Sequence, residues 1–211
     1  MASAPTTNPP SLWIIAGPNG SGKSSAYGAA TVDELVGSVW IINPDLLTAR
    51  IAATEGVEAT AANRLSVERI ERWLYASIDT HQTIGVETVL STDKYRKLVE
   101  HARSRGFSIN LIYVFLDSVE LNIKRVRTRV QKGGHDVPED KIRSRRLRSF
   151  QQFGWFFTHA DRVDVYDNSD ATPRRVLARR GQEMVLYDRL PDEMIDAVDG
   201  HDPGFRDIYD D

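Results

Sequence analysis

Short apolar runs alternate with amphipathic stretches along most of the chain. Residues 12–16 (LWIIA), 39–43 (VWIIN), 83–89 (TIGVETV), 107–116 (FSINLIYVFL) and 162–166 (RVDVY) have the length and β-branched character of strands. Between them the apolar period changes to that of a helix. In 59–82 the stripe Val67, Ile70, Trp73/Leu74 and Ile78 recurs at helical spacing. Further helices are predicted over 23–35, 44–53, 93–105 (stopped by Gly106), 119–131 and 139–157. Strands that alternate with helices predict an α/β fold, a mostly parallel five-stranded sheet between two helical layers. Residues 174–178 and 183–187 flank Arg180-Gly181 and predict a C-terminal hairpin.

No repeat and no linker divides the chain. Its 211 residues suit one domain over 12–190, with a Pro- and Thr-rich leader at 1–11 and an acidic tail at 191–211. The leader lacks the basic and apolar regions of a signal peptide, and no apolar run is long enough to cross a bilayer. The absence of cysteine excludes disulfides, thiolate catalysis and Cys-based zinc sites, and fits a cytoplasmic setting.

The first strand runs into GPNGSGKSS. Residues 17–24 match G-x-x-x-x-G-K-S/T in full, between a strand and a helix as the motif requires. Its glycines let backbone N–H groups face phosphate oxygens, and the helix N-terminus adds positive potential. Gly17, Pro18, Asn19, Gly20, Ser21, Gly22, Lys23, Ser24 and Ser25 are therefore predicted to bind ATP. Lys23 would reach the β- and γ-phosphates, and Ser24 would ligate magnesium.

The rest of the chain narrows the choice among phosphate-loop proteins. No N-K-x-D motif reads guanine, and the strand ending VFLDS carries no acid after Asp117. Asp117 reads better as part of a helix start beside Ser118. A small-molecule kinase needs an acid to take the acceptor's proton, cations over the moving phosphoryl group and a segment that closes on the site. Asp45, just past strand two in INPDLL, is the candidate base, at a strand end where α/β ligands sit. Glu87 is an acid inside an apolar strand, which is costly unless it has a partner. With Thr88 it is predicted to position substrate or to help hold the metal.

The net charge of -3 hides a split. Residues 124–148 carry ten basic and three acidic side chains, whereas 188–211 carry nine acidic and two basic ones. Two basic helices flank KGGHDVP, the composition of a hinged helical lid over about 124–150. Arg125, Arg129, Arg145 and Arg146 are the clamp candidates, and His135 in the hinge is a substrate contact. The acidic tail is a candidate counter-surface for this lid. FGWFF (153–157), Trp13 and Trp73 read as packing.

GPNGSGKSS, INPDLL, ETVLST and GGHDVPEDKIRSRRLRS, in this order, resemble the zeta-toxin family of phosphate-loop kinases, in particular its short bacterial members. The resemblance covers about residues 12–168. It implies a P-loop kinase fold, transfer from ATP with magnesium, and an antitoxin protein as partner. Its best-known acceptor is the 3′-hydroxyl of UDP-N-acetylglucosamine. It also implies that Lys23 and Ser24 bind ATP and magnesium, that Asp45 is the base, that Glu87 lies near the sugar and that Arg125 is one of two clamping arginines. Where larger members carry the second arginine this chain has Gly134-His135, so Arg129, Arg145 and Arg146 are left to supply it. Two other readings stay open at this point: a nucleotide-dependent switch or ATPase acting on a partner, and a polynucleotide 5′-kinase. No membrane partner is expected, and the overall charge does not favour nucleic acid.

Overall fold

The structure is a computed structural model and describes residues 9–24, 39–134 and 136–210. Most of the leader, Ser25, the remainder of the helix expected over 23–35 and His135 lie outside the described residues. The strands are β1 (Ser11–Ala16), β2 (Trp40–Ile42), β3 (Ile84–Thr88), β4 (Ser108–Phe115), β5 (Arg162–Asp167), β6 (Arg174–Arg180) and β7 (Glu183–Leu186). The described helices are α1 (Pro44–Glu55), α2 (Ala59–Asp79), α3 (Arg96–Ser104), α4 (Val119–Gln131), α5 (Glu139–His159), α6 (Asp192–Asp199) and α7 (Phe205–Asp210).

The seven described strands share one sheet, in the order β2-β3-β1-β4-β5-β6-β7. β1 to β5 pair in parallel, as expected. The hairpin is present and extends the same sheet, β6 pairing antiparallel with β5 and β7 with β6. Connections reverse direction around β1, which pairs with both β3 and β4, so the carboxyl ends of these strands frame the crevice where α/β proteins bind ligands.

β1 is central, and its run of apolar side chains is what burial on both faces demands. Leu12, Ile14, Leu111 and Tyr113 lie under Ile70 and Leu74 of α2, Leu98 of α3, and Phe150 and Phe153 of α5. Trp13, Ile15, Ile112, Val114 and Tyr166 form a second cluster. The Tyr113 hydroxyl donates to Ser149 Oγ (2.7 Å), which donates to the Val89 carbonyl (2.6 Å), fixing α5 to the end of β3.

The acidic tail is folded rather than a free charged segment, and its Glu193 acts electrostatically on Arg146 of the basic segment. It forms α6 and α7, whose Met194, Ile195, Val198, Phe205 and Tyr209 join the main core. They pack on the aromatic end of α5, with Phe157 edge-on to Phe205 at 5.3 Å. Apolar spacing outweighs charge here, and two of the tail's acids pair locally: Asp192 with Arg189, and Asp196 with Arg206. FGWFF is core, with Phe153, Trp155, Phe156 and Phe157 all buried. Trp13 is buried as well, whereas Trp73 is half-buried and tilts against the exposed Trp40 of the edge strand β2.

Candidate active site

The phosphate loop leaves β1 at Ala16 and is held from outside by side-chain amides. Asn122 Nδ2 of α4 donates to the Asn19 carbonyl (2.7 Å), and Asn168 Nδ2, after β5, donates to the Ser21 carbonyl (2.8 Å). Lys23 Nζ donates to the carbonyls of Gly17 (2.8 Å) and Pro18 (3.2 Å). Carbonyls held in this way let the N–H groups of such a loop turn toward an anion. Gly22 has φ +82°, and a Cβ there would sit 2.2 Å from Asn168 Nδ2, so the tether itself requires glycine. Burial pushes the Lys23 pKa below its ordinary 10.5, against the opposing pull of Glu87 and Asp45.

β3 brings the second group. Glu87 lies opposite Ile15 in the β1–β3 register, level with the start of the loop. Glu87 Oε2 accepts from the Ser24 hydroxyl (3.1 Å) and from Asn43 Nδ2 (3.0 Å). Asn43 follows β2 and is the N-cap of α1, its Oδ1 accepting from the backbone N–H of Asp45 (2.9 Å) and Leu46 (3.3 Å). Pro44 follows at the first helical position, where its missing N–H is harmless. Asp45 therefore stands in the first turn of α1 with an exposed carboxylate. Thr88 Oγ1 accepts from the Leu90 N–H (3.0 Å) and shapes the turn after β3.

The third group comes from α4 and α5. A cleft of about 370 Å³ is lined by Asn19, Gly20, Lys23, Asp45, Glu87, Thr88, Arg129 and Arg145, among others. Gly134 doubles back on α4, its N–H donating to the Arg129 carbonyl (3.0 Å). A Cβ on Gly134 would sit 2.5 Å from Arg129 Cγ, so glycine lets the loop press against the stem of that arginine. Beside the cleft, sharing Pro44, Val67 and Lys94 with it, is an apolar hollow of about 40 Å³ between α2 and α3.

The other two arginines expected in the clamp are not among the residues that line this cleft. Arg125 Nη2 donates to the Asn168 carbonyl (2.7 Å). Arg146 is buried, its guanidinium donating to the carbonyls of Leu116 (2.7 Å) and Asp117 (3.2 Å) and lying over the Phe150 ring. Burial pushes the Arg146 pKa below the ordinary arginine value. Successive helical residues point about 100° apart, which is why Arg145 faces the cleft while Arg146 faces the core. Asp117 contributes backbone only to these contacts, and Ser118 is the N-cap of α4, accepting from the Leu121 N–H (3.3 Å). Asn43, Asn122 and Asn168 were not predicted. Only Asn43 carried a sequence signal, an N-cap residue before proline.

The donor set suits magnesium. The Ser24 hydroxyl and the Glu87 carboxylate are hard oxygen ligands 3.1 Å apart. Magnesium commonly takes one or two protein groups and completes its shell with phosphates and water. Among the described residues no three His, Cys, Asp or Glu side chains gather as an all-protein site.

The family model described as zeta toxin matches residues 2–191. An uncharacterized protein of Haemophilus influenzae is 28% identical over 146 residues, 64% of this chain and 96% of that protein. The fold is similar to AvrRxo1-ORF1 in its complex with ORF2 and ATP (TM-score 0.67, 16% identity, 84% of this chain), where the match spans 60% of that chain, about three fifths of its length. It is also similar to the PezAT chromosomal toxin-antitoxin system of Streptococcus pneumoniae, with a TM-score of 0.59 and 12% identity over 99% of this chain and 91% of that one.

Proposed function

The chain belongs to the zeta-toxin family, and from that premise we propose that it is an ATP-dependent phosphotransferase with a small-molecule hydroxyl as acceptor. The observation that carries this reading is the single cleft that joins Lys23, Asp45, Glu87, Arg129 and Arg145. The phosphate loop binds the triphosphate. Asp45 takes the acceptor's proton as its oxygen bonds to the γ-phosphorus. The bond from that phosphorus to the β,γ-bridging oxygen breaks, and ADP leaves. Lys23, Arg129 and Arg145 hold the charge that builds on the phosphoryl oxygens. Magnesium, held by Ser24 and Glu87, would neutralise phosphate charge when bound.

UDP-N-acetylglucosamine is the leading acceptor, on the family resemblance. An antitoxin is the leading protein partner, because PezAT is described as a toxin-antitoxin system and the AvrRxo1 structure is a two-protein complex. Nucleic acid fits less well, since Arg127 pairs with Glu139, Arg143 pairs with Glu120, and Arg125 and Arg146 are bound to carbonyls. Among the described residues no helix is long and apolar enough to cross a membrane, and we place the enzyme in the cytoplasm.

The test incubates the full chain with γ-labelled ATP and either UDP-N-acetylglucosamine or a bacterial metabolite extract, and identifies labelled products by mass spectrometry. A stable phosphorylated metabolite is expected. Asp45→Asn should lower its rate roughly 10²–10⁴-fold, the usual worth of a general base. Release of free phosphate alone would favour the switch reading instead.

A further inference from the structure

Asn43 touches both acidic halves of the site. Its Oδ1 caps α1 and so fixes the turn that carries Asp45. Its Nδ2 donates to the Glu87 oxygen that also accepts from Ser24. A planar amide is rigid across its two ends, so the positions of α1 and the β3 acid are set against each other by one group. Asparagine is suited to this, because it offers a carbonyl and an N–H donor on the same short stem. Serine or aspartate would cap α1 equally well but would present no amide donor to Glu87.

We propose that Asn43 is a positioning residue for phosphoryl transfer, holding Asp45 in register with the Ser24–Glu87 pair through the two ends of its amide. The proposal rests on the kinase reading above. It separates two roles that a cap alone would merge. If Asn43 only capped α1, Asn, Ser and Asp would be interchangeable. If it also holds Glu87, they would differ in order. Asn43→Ser removes the donor and leaves Glu87 without it. Asn43→Asp puts a second carboxylate within hydrogen-bond reach of the Glu87 carboxylate, and two such acids cannot both ionise freely. The charged groups that face this pair are Lys23 of the loop, Asp45 of α1, Arg129 of α4, Arg145 of α5 and Lys94 ahead of α3, all lining the same cleft. They are common to every variant compared.

The experiment compares wild type, Asn43→Ser and Asn43→Asp in two assays. In the labelled-ATP assay, kcat/KM should fall about tenfold or more in Asn43→Ser, the worth of a hydrogen bond to a charged group. It should fall further in Asn43→Asp, where a second carboxylate repels Glu87. The second assay needs no turnover: urea unfolding at one fixed pH, with Glu87→Ala added to the set. Because Asn43 and Glu87 are in contact, the stability losses of Asn43→Ser and Glu87→Ala should be non-additive, the double variant losing less than the sum of the two. Wild-type turnover in both Asn43 variants, or strictly additive stability losses, would overturn the proposal. If the wild type transfers to no acceptor while the two losses are non-additive, the kinase reading fails and the Asn43–Glu87 contact stands.

Discussion

Gly154 sits in the middle of α5, where helix propensity alone says alanine should stabilise by roughly 0.8–1 kcal/mol. The structure predicts the opposite sign. A Cβ at Gly154 would lie 1.9 Å from the Ala197 carbonyl oxygen of α6 and 2.4 Å from its carbon, whereas ordinary contact begins at 3.4 Å. The obstacle is backbone, so α6 as a whole must retreat by about 1.5 Å. A gap of roughly 0.5–1 Å already forfeits a quarter to a half of a contact's energy. Met194, Ile195 and Val198 of α6 are all fully buried, and each burial is worth about 1.5–3 kcal/mol. Loss of half of that, less the propensity gain, leaves a net destabilisation of about 2 kcal/mol, within the usual range for overpacking. Thermal unfolding followed by circular dichroism should therefore show Gly154→Ala melting roughly 4–8 °C below wild type for a chain of this size. Gly200→Ala is the internal control. Its Cβ would meet nothing closer than 3.4 Å, so it should be neutral or slightly stabilising. A Gly154→Ala protein that melts at or above wild type would refute the close packing of α6 on α5.

The neighbours Arg145 and Arg146 should differ in their effect on stability. Arg145→Ala should lose roughly 10²–10³ in kcat with an unchanged melting temperature, whereas Arg146→Ala, which strands the Leu116 and Asp117 carbonyls, should lose about 2–4 kcal/mol in urea unfolding. Asp164 is 2% exposed and holds Arg162 and Arg180 at 2.9 Å, so Asp164→Ala should cost about 3–5 kcal/mol by the same measurement. Lys23 must be protonated to hold phosphate, and burial depresses its pKa from 10.5. kcat/KM for ATP should therefore decline as pH rises through that lowered value, before an ordinary lysine would titrate, and a profile flat up to the ordinary lysine range would contradict this.

The parallel strands were legible because continuous apolar runs such as LWIIA leave little choice of environment. The loop at 17–24 was legible because its chemistry needs consecutive residues in a fixed order. Glu87 could be singled out by its cost inside a strand, although its Ser24 partner lies 63 residues away and only the β1–β3 register brings them together. The arginines were not resolved, since composition reports how many cations lie in 124–148 and not which way each points. The tail misled for a related reason. Its eight acids masked the stripe of Met194, Ile195 and Val198, and burying that stripe contributes more than exposed charges in water. Asn122 and Asn168 left no trace, because a side chain that tethers a distant backbone carbonyl has no local pattern to obey.

The arginines that miss the cleft still bear on it. Arg146 donates to the Asn122 side chain (Nη1 to Oδ1, 3.4 Å), and Asn122 donates to the Asn19 carbonyl of the phosphate loop. Arg125 donates to the Asn168 carbonyl, and Asn168 donates to the Ser21 carbonyl of the same loop. Each path runs from a guanidinium through one asparagine to the loop backbone, which links α4 and α5 to the phosphate-binding turn. Arg127–Glu139 and Arg143–Glu120 join α4 to α5 on the exposed side. Six of the ten basic residues of this segment thus fall into three pairs. Arg129 and Arg145 line the cleft, Arg125 and Arg146 hold the loop, and Arg127 and Arg143 hold the two helices together. Such a division accounts for a charge density that phosphate contact alone does not require. It also makes loop geometry depend on how α4 and α5 pack, so a change on α5 that never touches nucleotide, such as Arg146→Ala, should weaken ATP binding through the loop as well as the fold.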